Sequence, residues 1–265
     1  MQLPWHQLTK LHVGFIDIPS FFQVLRNSTN LVQASFEFDS ESLALPVSNF
    51  GHPRLRCLAL GMCDLDEDER AVSLTLLDYL EIPDLIELIV VLPYHPVVHK
   101  LSPLLSFLSH PTLRLQTLAL SFPYLPPTET MENMMECLKL ASSLAHFKFH
   151  SPSLVDIDIL FARLTGHADF LPKLEHLQLS FFDNPSFALT MSLLIGMLCW
   201  RWAAVGIAQL KSFRLTCEPP LASFFGLLKS ESEFRRLGGE GMMLYVGRTQ
   251  ETDEFWDFLK TRNFY

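Results

Sequence analysis

Residues 174–179 read LEHLQL, and this spacing of apolar residues at positions one, four and six decides the fold of the chain. The same spacing recurs eight times, with valine, alanine or phenylalanine replacing leucine in some copies. Over the whole array the copies start about 29 residues apart, as expected for stacked structural repeats. The first positions are Leu8, Leu31, Leu55, Leu85, Leu115, Leu144, Leu174 and Leu210.

Each copy of the pattern contains the alternation of a short strand with one buried face. In Leu177-Gln178-Leu179, for example, apolar residues flank a polar one, which is the two-residue period of a strand. Between the strands, apolar residues recur at helical spacing, and Ser102-Pro103 places a proline where a helix can begin. The four helical segments run over 72–80, 131–138, 154–164 and 221–228.

Neither element can bury its apolar face alone, so the repeats must stack. The sequence therefore predicts an α/β leucine-rich-repeat solenoid of eight to nine repeats, with parallel strands on a concave face and helices on a convex face. The repeats are expected to be irregular, because only Cys63 occupies the turn position that usually holds Asn or Cys. We expect one domain over 1–265, in which 242–265 supplies the last strand and a closing helix over 253–260.

Composition excludes several classes of protein. The net charge of −9 and pI near 5.5 argue against nucleic acid or an anionic membrane as partner. Five cysteines without a C-x-x-C pair favour a reducing compartment. Met1 is not followed by the apolar core of a secretory signal, so we expect a cytoplasmic or nuclear protein.

Catalytic and metal-binding motifs are not found in the sequence. It contains no G-x-S-x-G elbow, no Walker loop and no H-E-x-x-H, so we expect neither enzymatic activity nor a cofactor. His95 and His99 are spaced like metal ligands on a helix, but Pro96 between them disfavours a helix. The acidic run 64–69 has Glu69 where a calcium loop needs glycine, so we expect no metal site.

One part of the predicted concave face is polar and basic. In the three repeats that start at Leu144, Leu174 and Leu210, alternate strand positions hold histidine, lysine, glutamine and arginine but no acid. We call six of these side chains the basic row: His146, Lys148, His150, His176, Gln178 and Arg214. They predict a site for an acidic protein partner, and histidines with an ordinary pKa near 6.5 predict tighter binding as the pH falls.

Several stretches resemble the leucine-rich region of mushroom-type fungal F-box proteins. Residues 3–11, LPWHQLTKL, resemble that region's LPW-x-x-L-T-x-L opening. NSTNLV at 27–32, FLPKLEHLQL at 170–179, WRW at 200–202 and LKSFRL at 210–215 are similar to its later landmarks, so the resemblance covers nearly the whole chain. It implies a substrate-recognition array of a cullin-type ubiquitin ligase.

In that family an N-terminal F-box binds a Skp-type adaptor, and no such helical module fits before Trp5. We therefore expect adaptor binding only if an F-box lies upstream. The leading hypothesis is a non-enzymatic protein-interaction module. The alternative is a truncated structural remnant of a longer F-box-like protein with no partner of its own.

Overall fold

A computed structural model of the chain has a mixed α/β fold with a parallel sheet of nine strands, as the sequence predicts. The chain divides into two compact units, Met1–Ala141 and Ser142–Tyr265. The structure describes residues 4–38, 45–46, 48–62, 74–92, 101–121, 128–151, 157–181, 187–217 and 222–247.

Within the part that the structure describes, the first unit contributes five strands of the main sheet and one small two-stranded sheet. Its strands are β1 (Lys10–Ile16), β2 (Gln33–Phe38), β3 (Phe50–Gly51), β4 (Cys57–Met62), β5 (Leu80–Glu81), β6 (Glu87–Val91) and β7 (Thr117–Ser121), with β3 paired to β5. Its helices are α1 (Ile18–Asn27), α2 (Ser102–Leu108) and α3 (Thr128–Leu140), and short 3-10 turns cover Trp5–Gln7 and Leu74–Tyr79.

In its described residues, the second unit contributes four strands and four helices. The strands are β8 (His146–Ser151), β9 (His176–Phe181), β10 (Ser212–Cys217) and β11 (Met243–Gly247). The helices are α4 (Ile157–Leu164), α5 (Phe187–Ala203), α6 (Ala222–Ser230) and α7 (Ser232–Gly239). The predicted ninth strand is thus confirmed as β11, whereas the closing helix expected over 253–260 lies outside the described residues.

Strand pairing aligns the apolar positions of successive repeats. Phe147 pairs with Leu177, which pairs with Phe213, and all three side chains are buried. In the first unit Leu118 is 0% exposed and pairs with Leu88 of β6. The register that the sequence pattern predicts is therefore confirmed, and each buried side chain stabilises the fold by roughly 1.5–3 kcal/mol.

Helix α1 shows how local sequence defines an element. The Asp17 side chain accepts a hydrogen bond of 2.6 Å from the backbone N–H of Ser20, which caps the helix, and Pro19 follows in its first turn. Phe21 is buried and packs edge-on against Phe36 of β2, with ring centroids 4.8 Å apart.

The helical spacing predicts one segment incorrectly and three correctly. Helices α3, α4 and α6 lie within or across the expected ranges. The segment over 72–80 is described from Leu74 and forms a 3-10 turn rather than an α-helix. Strand β5 begins at Leu80, directly after this turn, so a regular helix does not extend to that residue.

Arg201, near the end of α5, is a buried cation that binds backbone carbonyls at the end of α4 and in the segment between α4 and β9. Its guanidinium donates to the carbonyl of Leu164 at 3.1 Å and to that of Leu171 at 3.0 Å, and also to the carbonyl of Phe170. Burial lowers the pKa of Arg201 to about 10, so the group stays charged near neutral pH. These bonds hold the last residue of α4 and the segment that leads into β9.

Helix α5 is the most apolar helix of the second unit, and Met197 and Leu198 on it are buried. No helix in the described ranges combines the length and the hydropathy needed to cross a bilayer.

Candidate functional site

The six side chains of the basic row all lie on three neighbouring strands of the second unit. Strand β8 carries His146, Lys148 and His150, β9 carries His176 and Gln178, and β10 carries Arg214. Within the sheet, His146 pairs with His176, and Lys148, Gln178 and Arg214 are in register across the three strands. Parallel pairing thus brings together residues that are up to 68 positions apart in the sequence.

A groove of about 440 Å³ runs over this part of the sheet. Five members of the basic row line it: His146, Lys148, His176, Gln178 and Arg214. Tyr245 of β11 lines its far end, and no carboxylate is found among the described lining residues. The groove therefore offers two permanent positive charges, an amide and aromatic rings to a ligand.

His150 is the member of the basic row that the structure removes from the surface. Its side chain is 2% exposed, and it pairs in register with the buried Ser180, whose hydroxyl shares a hydrogen bond of 2.7 Å with that of Thr216. Burial lowers the pKa of His150 to about 3. The expectation that protonation of this histidine tightens the binding of an acidic partner as the pH falls is therefore wrong.

The other two histidines form a stacked pair at one side of the groove. Their ring centroids are 4.3 Å apart and their planes differ by 10°. His176 Nδ1 also shares a hydrogen bond of 2.7 Å with Ser212 Oγ. Burial, together with the nearby His146, lowers the pKa of His176. This histidine therefore becomes charged at a lower pH than the sequence alone predicts.

An ion pair lies at the rim of the groove, next to the histidine pair. Lys211 Nζ is 2.8 Å from Glu175 Oε2, and this hydrogen bond lowers the pKa of the Glu175 carboxyl. The same carboxylate oxygen is 3.9 Å from His176 Nε2. Because the rim charges compensate each other, the positive charge of the groove comes from Lys148 and Arg214.

Tyr245 supports Arg214 and was not predicted from the sequence. The Arg214 guanidinium carbon lies 5.0 Å from the centre of the Tyr245 ring, a cation–π arrangement. A Cβ at Gly247 would lie 3.0 Å from the Tyr245 hydroxyl, so glycine leaves room for the ring. The sequence predicts β11 as a strand, and Tyr245 takes the position in β11 that Arg214 takes in β10. Alignment of these two strands is the feature of the sequence that indicates the contact.

Two kinds of chemistry are compatible with this arrangement. The cations and the Gln178 amide suit an acidic ligand through charge-assisted hydrogen bonds. The contact of Ser212 Oγ with His176 Nδ1 pairs a hydroxyl with a potential base, as in a hydrolase, and this contact was also not predicted from the sequence. The Glu175 carboxylate lies 3.9 Å from His176 Nε2, too far for the hydrogen bond that orients the base in a catalytic triad.

Metal binding finds no support in the part of the chain that the structure describes. No cluster of three or more His, Cys, Asp or Glu side chains there could hold an ion. The spaced pair His95 and His99 and the acidic run 64–69 lie outside the described residues.

In comparisons with known proteins, no family model, no curated protein and no solved structure matches this chain.

Proposed function

We propose that this chain is a non-enzymatic protein-interaction module whose partner docks an acidic segment in the groove of the second unit. The observation that carries the proposal is the pair of cations, Lys148 and Arg214, in register on either side of Gln178. The surrounding groove contributes no carboxylate among its described residues, in a chain whose net charge is −9. Local charge opposite to the net charge favours one kind of partner, an anionic one.

The energetics favour recognition at this place. Lys148, Gln178 and Arg214 are half-buried, so a carboxylate bound among them is partly shielded from water. Hydrogen bonds to charged groups contribute roughly 1.5–3 kcal/mol each, compared with about 1 kcal/mol for a neutral pair. Two such contacts contribute about 3–6 kcal/mol to the selection of an anionic segment over a neutral one.

The proposed architecture is an irregular leucine-rich-repeat solenoid, with the groove on its concave face and helices on the convex face. The alignment of the apolar triplets in adjacent strands supports this proposal. The resemblance to the leucine-rich region of fungal F-box proteins supports a role in substrate recognition for a ubiquitin ligase. A Skp-type adaptor is a proposed partner only if an F-box lies upstream of the repeats in the same chain.

The proposed compartment is the cytoplasm or nucleus. The described cysteines Cys57, Cys137, Cys199 and Cys217 form no disulfide, as expected for a protein kept in a reducing environment.

Charge reversal in the groove tests the proposed function. Proximity labelling with the Lys148→Glu/Arg214→Glu variant is expected to lose the proteins that the wild type labels, while the circular-dichroism spectrum stays intact. The control, Lys173→Glu/Lys229→Glu, changes the net charge by the same amount at two exposed lysines of the second unit and is expected to keep them. A set of labelled proteins that survives groove reversal undiminished would place the binding site elsewhere.

A second candidate function, ester hydrolysis, is favoured by the 2.7 Å contact between Ser212 Oγ and His176 Nδ1. It ranks lower because the backbone N–H of Ser212 already donates to the Glu175 carbonyl at 3.1 Å and is not free to stabilise an oxyanion. A fluorophosphonate probe decides between the two functions. Labelling that Ser212→Ala abolishes would support a hydrolase, whereas equal background with both proteins supports the interaction module.

A further inference from the structure

We infer that the acidic segment bound in the groove carries a large apolar residue next to the acid that binds Arg214, and that this residue packs against Met243 of β11. The inference rests on the proposed function and specifies the ligand of the same site. It divides the groove into a cationic part on β8 and β10 and an apolar part on β11.

Met243 is an apolar side chain that the fold leaves open to solvent within the groove. It is the first residue of β11, lines the groove and is 61% exposed. Phe147, Leu177 and Phe213 also line the groove, but each is at most 1% exposed and belongs to the core. A ligand that covers Met243 therefore removes from water an apolar surface that the folded chain keeps hydrated, which favours binding.

The strand position of Met243 is polar in the neighbouring strands of the second unit. Ser212, His176 and His146 are in register with it on β10, β9 and β8. The two histidine rings stack on each other, and His176 shares a hydrogen bond with Ser212. Along this row of positions, the apolar surface is therefore confined to the β11 end of the groove.

The order of the strands places the apolar part beside Arg214 rather than beside Lys148. Arg214 lies on β10, which pairs directly with β11, whereas β9 and β10 both lie between Lys148 and Met243. Met243 precedes Tyr245 by two residues on β11, so the two side chains share a face of the strand. Tyr245 itself contacts the Arg214 guanidinium. An acid bound to Arg214 therefore has Met243 on the adjacent strand, and an acid bound to Lys148 does not.

Methionine suits a contact with a large apolar side chain. Its unbranched chain and polarisable sulfur adapt to aliphatic and aromatic groups of different shapes. Charge complementarity selects an acidic segment for this groove, in a chain whose net charge is −9. Burial of apolar surface adds affinity that does not depend on charge. The partner of stated chemistry is therefore an acidic segment with a large apolar residue at one end.

Fluorescence polarisation with labelled synthetic peptides tests the inference on the full chain. The parent peptide is serine-rich, has blocked termini and carries a run of aspartates at its centre. In the other peptides, phenylalanine replaces serine at each flanking position in turn. The best phenylalanine peptide is expected to bind at least about tenfold tighter than the parent, because burial of one large apolar side chain stabilises the complex.

Variants connect this advantage to Met243. Met243→Ser gives β11 the residue that β10 has at the same position. We expect it to lower the advantage of phenylalanine below about threefold and to bind the parent as wild type does. The control Leu227→Ser removes a side chain of similar exposure, 59%, from α6 and is expected to keep the full advantage. A full advantage in Met243→Ser would overturn the assignment of the apolar contact.

Peptides with a single aspartate test the order along the groove. With phenylalanine at its best position, Arg214→Gln is expected to weaken binding at least about tenfold, because the remaining acid loses its charged partner. Lys148→Gln is expected to weaken it less than about twofold. Equal losses in the two variants would contradict the placement of the apolar residue next to Arg214.

The remaining outcomes separate this inference from the proposed function. No advantage for phenylalanine at any position, in acidic peptides whose binding Lys148→Glu/Arg214→Glu abolishes, would overturn the inference and leave the proposed function standing. Undiminished binding of the phenylalanine peptide after asparagine replaces every aspartate would overturn both. Failure of all the peptides to bind would also overturn both.

Discussion

The same strand position carries opposite chemistry in the two units of the chain. In the first unit it holds Ala59, Ile89 and Ala119, in register on β4, β6 and β7; in the second unit it holds Lys148, Gln178 and Arg214, in register on β8, β9 and β10. The alanines are buried, whereas the polar side chains are half-buried and line a groove. The repeat therefore fixes where a side chain is placed, and side-chain identity decides whether that position serves stability or recognition.

The largest expected effect is one that the two units share. Leu118 and Leu177 occupy equivalent buried positions, 0% and 1% exposed. Truncating either to Ala should cost roughly 2–5 kcal/mol through lost burial and a residual cavity. Urea unfolding followed by circular dichroism measures the loss, and hydrogen exchange locates it. Unchanged protection of the mutated strand would contradict the register.

The second largest effect separates the buried and exposed histidines of the second unit. The pKa of His150, about 3, is far below its unfolded value near 6.5, so the unfolded chain binds one more proton between these values. Stability from this group is complete above pH 6.5 and falls as the pH drops, by about 2 kcal/mol at pH 5. Urea unfolding at pH 7 and pH 5 should show that His150→Gln removes this loss and that His146→Gln, at an exposed position, retains it. An equal loss in wild type and His150→Gln would refute the assignment.

A reciprocal substitution tests the comparison between the units directly. Ala119 is 1% exposed, so Ala119→Gln forces a longer, polar side chain into a packed position and should destabilise by about 1–3 kcal/mol. Gln178→Ala, at the equivalent but half-buried position, should stay within about 0.5 kcal/mol of wild type. Thermal unfolding of the two variants checks this. Similar losses of stability at both positions would show that the position of Ala119 in the first unit and that of Gln178 in the second do not differ in packing.

The smallest effect concerns the ring behind Arg214. Tyr245→Leu removes the cation–π contact and should weaken binding of a synthetic peptide with two aspartates about two- to fivefold, the equivalent of about 0.5–1 kcal/mol. Tyr245→Phe keeps the ring and should bind as wild type does. Polarisation titrations measure both; a loss in the Phe variant as large as in the Leu variant would assign the effect to the hydroxyl instead.

The sequence predicts those features that depend on local periodicity. The L-x-x-L-x-L spacing identifies the strands β8, β9 and β10 and their common register, because a two-residue period leaves only one choice of buried face. Five of the six residues in the basic row line the groove for the same reason.

Other features depend on distant residues, and local patterns do not contain them. His150 follows the same alternation as Lys148, yet its side chain is buried whereas that of Lys148 is half-buried, a difference that the two-residue period does not contain. Arg201 interacts with carbonyls 30 to 37 residues earlier in the chain, a relation that no short motif encodes. Tyr245 becomes a support for Arg214 only after β11 pairs with β10.

Exchange of charge between groove and ligand tests the central claim most directly. Wild type and the Lys148→Glu/Arg214→Glu variant are each titrated with a synthetic peptide that carries two aspartates and with a counterpart that carries two lysines at the same positions. Each protein should prefer the peptide of opposite charge by at least about a hundredfold, since two charged contacts of about 1.5 kcal/mol each reverse together. Equal affinity of both proteins for the aspartate peptide would show that Lys148 and Arg214 do not form the recognition site.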